Sequence, residues 1–116
     1  MYKFEKLNVW QESMLLSKLC YGISKELPTF ERNGLSDQIR RAVTSILLNI
    51  AEGSGSESDK EFLRFLYISK KSLYEVVALL KFIEYEYKIG IEKTLNQTDT
   101  VGKLLNGLIR KLKAES

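Results

Sequence analysis

Apolar residues recur at spacings of three and four along nearly the whole chain and fall into four runs. In the first, Val9, Ser13, Leu16, Cys20, Ile23 and Leu27 make a single helical stripe. This predicts a helix from about Asn8 to Leu27, stopped by Pro28. After "PTFERNG", a second stripe of Leu35, Ile39, Ala42, Val43, Ile46 and Ile50 predicts a helix from about Ser36 to Glu52. Gly53 reads as its terminating cap.

A third run opens with Ser58-Asp59-Lys60-Glu61. This is a capping-box pattern, in which the Ser58 hydroxyl accepts from the Glu61 amide and the Glu61 carboxylate returns to the Ser58 amide. No breaker follows until Lys88, and Gly90 is the expected left-handed cap. About 30 residues at ~1.5 Å each give a helix of ~45 Å. The fourth helix runs from about Glu92 to Lys113, with Thr98, Val101, Leu104, Leu105, Leu108 and Leu112 on one face. Its polar first half, "KTLNQTDTVG", predicts a frayed start. Four helices with short connections pack antiparallel, so the fold class is all-α, an up-down four-helix bundle in one domain spanning residues 1–116.

The third helix carries more apolar surface than one bundle needs. Phe62, Phe65, Leu66, Ser69, Leu73, Val76, Val77 and Leu80 form the core face. A second row of Leu63, Tyr67, Tyr74, Ala78 and Tyr85 lies ~100–160° around the helix, with Ile68, Leu79 and Phe82 on another side. Trp10, Met14, Ser17 and Tyr21 form a similar row on the first helix, and Leu48 falls among the polar residues of the second. A helix in a monomeric bundle is polar over much of its circumference. These rows therefore call either for a partner (another subunit, a different protein or stacked bases) or for a core that is simply wide. Leu, Met and Ala are interleaved with the aromatics where base-stacking rows carry Lys and Arg, and this favours dry packing between copies. Trp10, Met14, Tyr21, Leu48, Leu63, Tyr67 and Tyr74 are the candidate oligomer-interface residues.

Composition narrows the chemistry. Apolar residues make up 44% and charged residues 28%, ordinary values for a folded domain. There is no histidine and one cysteine, which excludes an intrachain disulfide and leaves the common catalytic triads and thiol or imidazole metal sites without their groups. Cys20 sits among Leu16, Leu19 and Ile23 and reads as a small buried hydrophobe. No stretch approaches ~18 continuous apolar residues, and no signal peptide is apparent at the start, so a cytoplasmic protein without membrane spans is expected. Glu52 and Glu57 flank a turn and fit helix capping better than acid/base chemistry. The run "NIAEGSGSESDKEF" lacks the Lys-Ser/Thr pair of a phosphate-binding loop, and its acids would repel a phosphate. Neither an enzyme, a cofactor nor a metal is implied.

Lys and Arg exceed Asp and Glu by 18 to 15. Most alternate with acids as on a solvated face, and Arg110, Lys111 and Lys113 complement a helix C-terminus. A sharper reading places Arg40, Arg41, Arg64, Lys70 and Lys71 on one phosphate-contacting strip, with the modest charge multiplied by oligomerisation.

The run "QIRRAVTSILLNIAEGSGSESDKEFLRFLYISKKSLYEV" resembles the four-helix-bundle family encoded in intervening sequences of bacterial 23S ribosomal RNA genes. The matching pieces are Gln38 to Ala42, Asn49 to Gly53, Lys60 to Phe62, Arg64 to Ile68, Ser72-Leu73 and Glu75. "FEKLNVWQESMLL" is similar to the family's opening, and "LLNGLIRKL" to its final helix. The chain departs from the pattern at Leu47-Leu48, where members often carry proline, and at Lys71, where many carry glycine. It departs again at Ser56-Glu57-Ser58, where a basic residue is common. The resemblance implies a ring, a homopentamer, and a likeness to the accessory proteins of diversity-generating retroelements, which are associated with nucleic acid and a reverse transcriptase. RNA or DNA is then one expected partner. An oligomeric scaffold for another protein, with no direct nucleic-acid role, stays open beside it.

Overall fold

The computed structural model describes residues 1–115. Four helices form: α1 (Asn8–Glu26), α2 (Leu35–Ser54), α3 (Asp59–Tyr87) and α4 (Glu92–Glu115). Short 3₁₀ turns at Lys3–Lys6 and Thr29–Glu31 precede α1 and α2. Each helix packs on its two neighbours around a square, α1 on α2 and α4, and α3 on α2 and α4. The backbones of diagonally opposite helices stay apart among the described residues. This is the antiparallel up-down bundle. The 29 residues of α3 match the 45 Å long axis of the molecule, against 22 and 21 Å across.

The α1 and α2 stripes are buried at every position expected from their spacing. Leu16, Ile39, Ile46, Ile50, Leu66, Leu80, Val101 and Leu105 make the solvent-free centre. Phe65 and Val77 of the expected α3 face, and Leu104 and Leu108 of α4, are half-buried at its margins. Ile83, Ile91 and Ile109 join the core although the helical stripes did not include them.

Helix ends show what the local pattern decides and what packing overrides. Pro28 forces Leu27 into extended backbone and stops α1. Ser58 caps α3, accepting from the Glu61 amide at 3.2 Å. The reciprocal half of the capping box does not form, because the Glu61 carboxylate takes Arg64 at 2.7 Å instead. The start of α4 is intact: Thr94 and Thr98 are buried, and the Gln97 amide donates to the Glu12 carbonyl at 2.9 Å. Buried threonines and a tie to α1 outweigh the polar composition.

Two glycine expectations are corrected. Gly90 does not cap α3; Lys88 adopts the left-handed conformation, with φ of 56°. Such a conformation costs an L-residue roughly 1–2 kcal/mol. Turning at Lys88 brings Ile89 and Ile91 back onto the core, so burial offsets the strain. Nor does Gly53 terminate α2. It is a buried residue within the helix, and a β-carbon there would lie 2.7 Å from Phe65 Cβ and 2.8 Å from Phe62 Cδ1. The glycine lets α2 and α3 approach. Above it, Ser69 Oγ donates to the Ile46 carbonyl at 2.9 Å, and Ser45 and Ser72 hydroxyls meet at 2.8 Å.

At the opposite end, Tyr87 Oη donates to Glu31 Oε2, and the Tyr87 ring meets Phe30 edge-on at 6.4 Å. Glu31 Oε1 also accepts from the Leu35 amide at 3.1 Å. One carboxylate thus joins the start of α2 to the end of α3. The Tyr87 hydroxyl and then the Leu35 amide hold the Glu31 carboxyl below its ordinary 4.5, and the bond to Glu31 pushes Tyr87 up to about 12.

Gly53→Ala is expected to destabilise the protein by about 1–3 kcal/mol in urea unfolding, because Phe65 Cβ moves only with the α3 backbone and the buried Phe62 ring cannot retreat without repacking. An unchanged midpoint would remove the close approach from the account. For Glu31→Gln, the urea midpoint should fall below wild type at neutral pH. The lowered carboxyl stabilises the fold above its unfolded value, so the gap should close as pH falls through and below 4.5. A gap that persists undiminished at about pH 3 would contradict the link.

Candidate interaction surfaces

The expected interface residues divide into two groups. Trp10 and Leu63 are half-buried and pack against the core. The Trp10 ring meets Phe4 edge-on at 4.9 Å, and its Nε1 is buried without a hydrogen-bond partner among the described residues. Met14, Tyr21, Leu48, Tyr67 and Tyr74 are exposed, Tyr74 at 70%. Leu15, Phe82 and Tyr85 are exposed as well. Leu15 lies outside the rows read from the sequence. The uncovered apolar groups thus occupy more than one side of the bundle.

The basic residues do not gather into one strip. Arg41 is exposed and pairs with Asp37 at 3.8 Å. Arg64 is held by Glu61 and lies 4.5 Å over the Phe65 ring. That bond raises the Arg64 value and lowers that of Glu61, so a phosphate must compete with a carboxylate already in place. Lys71 is exposed on the outer side of α3. Lys70 lines a groove of about 360 Å³ between α3 and α4, with Leu73, Tyr74, Val77, Asp99 and Lys103. Gly102 contributes to the opening, since the nearest side chain, Leu73, is 3.5 Å from where its β-carbon would be. Arg40 lines a different recess, of about 280 Å³, where α1 gives way to α2. These two sites lie on opposite faces of the square. Lys25 and Arg32 line the second recess beside Arg40. The sequence reading missed both, because Lys25, Arg32 and Arg40 lie on no shared helix and meet only through the chain reversal after Pro28.

Neither groove brings a nucleophile to a general base. Asp99 is the one carboxylate among the lining residues of the α3–α4 groove. Cys20 is buried, and burial pushes its thiol up to about 12, far from a thiolate at neutral pH. Among the described residues no group of three His, Cys, Asp or Glu side chains gathers as a metal site, and no helix is long and apolar enough to cross a membrane.

These features define a four-helix bundle whose notable chemistry lies on its outer surfaces. The family model for the 23S rRNA-intervening sequence protein matches residues 5–107, and the chain belongs to that family. Among solved structures, it is similar to a protein of unknown function from the S23 ribosomal protein family of Bacteroides thetaiotaomicron. The two are 27% identical with a TM-score of 0.78, over 87% of this chain and 97% of that one. No curated protein matches.

Proposed function

We propose that the protein is a non-catalytic homo-oligomeric bundle that presents basic helix faces to RNA or DNA. The exposure of Tyr74, Tyr67, Leu48 and Met14 carries the first half of this reading. Aromatic and long aliphatic side chains left in water on several helices are the usual mark of a surface that another chain covers. A ring of five copies is the assembly implied by the family resemblance. The nucleic-acid half is supported by exposed Arg41 and Lys71, by Arg40 and Lys70 in separate recesses, and by a net charge of +3 that repeats with every copy. The family's name ties its members to a ribosomal RNA gene, in keeping with such a ligand.

A second reading has its own observation. The α3–α4 groove has an apolar floor of Leu73, Val77 and Leu105 with Tyr74 at its rim, a shape suited to a side chain of a different protein. On that reading the bundle is a scaffold, and the same stoichiometric protein would remain bound after nuclease treatment.

Light scattering at micromolar concentration should give a mass several times 13.4 kDa. Tyr67→Glu with Tyr74→Glu should reduce it while helicity by circular dichroism is retained. A wild-type mass of one chain would overturn the assembly. In filter binding, affinity for rRNA fragments or duplex DNA should fall with salt. Arg41→Gln with Lys71→Gln should flatten the logarithmic salt slope by roughly 1 to 2. No binding at about 50 mM salt would overturn the nucleic-acid reading.

A further inference from the structure

We propose that the recess where α1 gives way to α2 is a phosphate-binding site, formed by Lys25, Arg32 and Arg40 with the Thr29 hydroxyl. The proposal rests on the nucleic-acid reading above and names the place on each copy where a backbone phosphate is gripped.

Three cations from three local structures converge there. Lys25 comes from the last turn of α1, Arg32 from the turn after Pro28, and Arg40 from the second turn of α2. The convergence follows from how the chain reverses. Pro28 ends α1, the Thr29–Glu31 turn folds the connection back, and Ser36 Oγ donates to the Ser24 carbonyl at 3.1 Å, closing α2 against α1. The Arg40 guanidinium reaches the Arg32 carbonyl at 3.4 Å, which draws one cation onto the segment that carries another. Such a gathering of like charges favours an anion between them.

The lining of the recess contains no carboxylate among the described residues. The nearest paired acid is Asp37, 4.0 Å from Arg40 at the edge and shared with Arg41. Lys25 and Arg32 have no ion-pair partner among the described residues, nor has the Thr29 hydroxyl a hydrogen-bond acceptor. Their donors are open to a ligand. Ser24 and Ser36, by contrast, already spend their hydroxyl protons on carbonyls at 2.7 and 3.1 Å. At about 280 Å³ the recess lies just below the ~300–1,000 Å³ range of drug-sized pockets. It suits a compact, multiply accepting anion, and arginine forks match phosphate oxygens.

The α3–α4 groove supplies the contrast. It also holds two lysines, but Asp99 lies among them and its floor is apolar. The two recesses differ in what they can hold: a phosphate in the first, an apolar group in the second.

The test uses the full chain and a variant carrying Lys25→Gln, Arg32→Gln and Arg40→Gln, with retained helicity checked by circular dichroism. Inorganic phosphate should raise the wild-type melting temperature above that in chloride at matched ionic strength, and the variant should lose this rise. For single-stranded RNA, the variant should lose about 0.7 from the logarithmic salt slope for each copy engaged, the value for one phosphate contact. Lys111→Gln, an exposed cation at the opposite end of the bundle, should lose less than this variant.

If the variant binds RNA with an unchanged slope and phosphate does not stabilise the wild type, the recess assignment is overturned and the nucleic-acid reading stands. An equal loss in Lys111→Gln would overturn it too. Stabilisation by phosphate through these residues without binding of RNA or DNA would support the recess as a site for a free phosphate anion and remove the nucleic-acid reading. Failure of both measurements in the wild type would overturn both.

Discussion

The bundle is organised around the close approach of α2 to α3 at Gly53, where a β-carbon would collide with Phe62 and Phe65. With the two helices that near, the register along their seam is determined by what fits. Ser69 meets the Ile46 carbonyl and Ser72 meets Ser45, each a short side chain whose hydroxyl finds a partner across the interface. The Asn49 amide also donates to Ser45 Oγ at 3.1 Å, and an unpartnered polar group in this seam would be costly. The other two helices then close over Ile39, Ile46, Leu66 and Leu80, with Gln97 fastening α4 to α1 through the Glu12 carbonyl.

The same seam is held at its far end by different means. Glu31 binds Tyr87 from α3 and the Leu35 amide of α2, so the turn before α2 is fixed to the point where α3 must stop. Lys88 accepts a left-handed backbone just beyond. Glycine at position 90 could have taken that conformation without strain, but stopping there would have carried Ile89 and Ile91 past the core they help to fill. Full burial of Ile91, at ~1.5–3 kcal/mol, together with the half-buried Ile89, offsets the backbone penalty.

What was legible in the sequence, and what was not, follows from range. The stripes of α1 and α2 are local, and every position read from their spacing is buried. Ile83 and Ile91 escaped because one lies beyond the clearest part of the α3 stripe and the other lies outside any helix. Gly53 was misread because a glycine near a helix end looks the same whether it serves φ or proximity, and Phe62 and Phe65 are contacts from the next helix. The Ser58 cap was legible, whereas the partner of Glu61 was a choice between a backbone amide and a nearby guanidinium. The basic residues show the same limit more sharply. Arg40, Arg41, Lys70 and Lys71 look contiguous as doublets, but successive residues on a helix point ~100° apart. Lys25, Arg32 and Arg40 look unrelated, and the reversal after Pro28 brings them together.

The square arrangement places a geometric condition on any extended ligand. The Arg40 recess opens between α1 and α2 and the Lys70 groove between α3 and α4, on opposite faces of a bundle about 22 Å across. One strand cannot lie along both in a single copy without wrapping round the end of the molecule. A nucleic acid held by one copy therefore meets one of these faces, and only a few cations with it. Because counterion release scales with the number of phosphates neutralised, so few contacts give weak binding at physiological salt. Appreciable affinity for a long strand would need the same face repeated on neighbouring copies. The uncovered apolar groups on α1, α2 and α3 are what could bring copies into that register. On the proposed function assembly and ligand binding would be coupled, since a face too weak alone gains avidity when copies are joined.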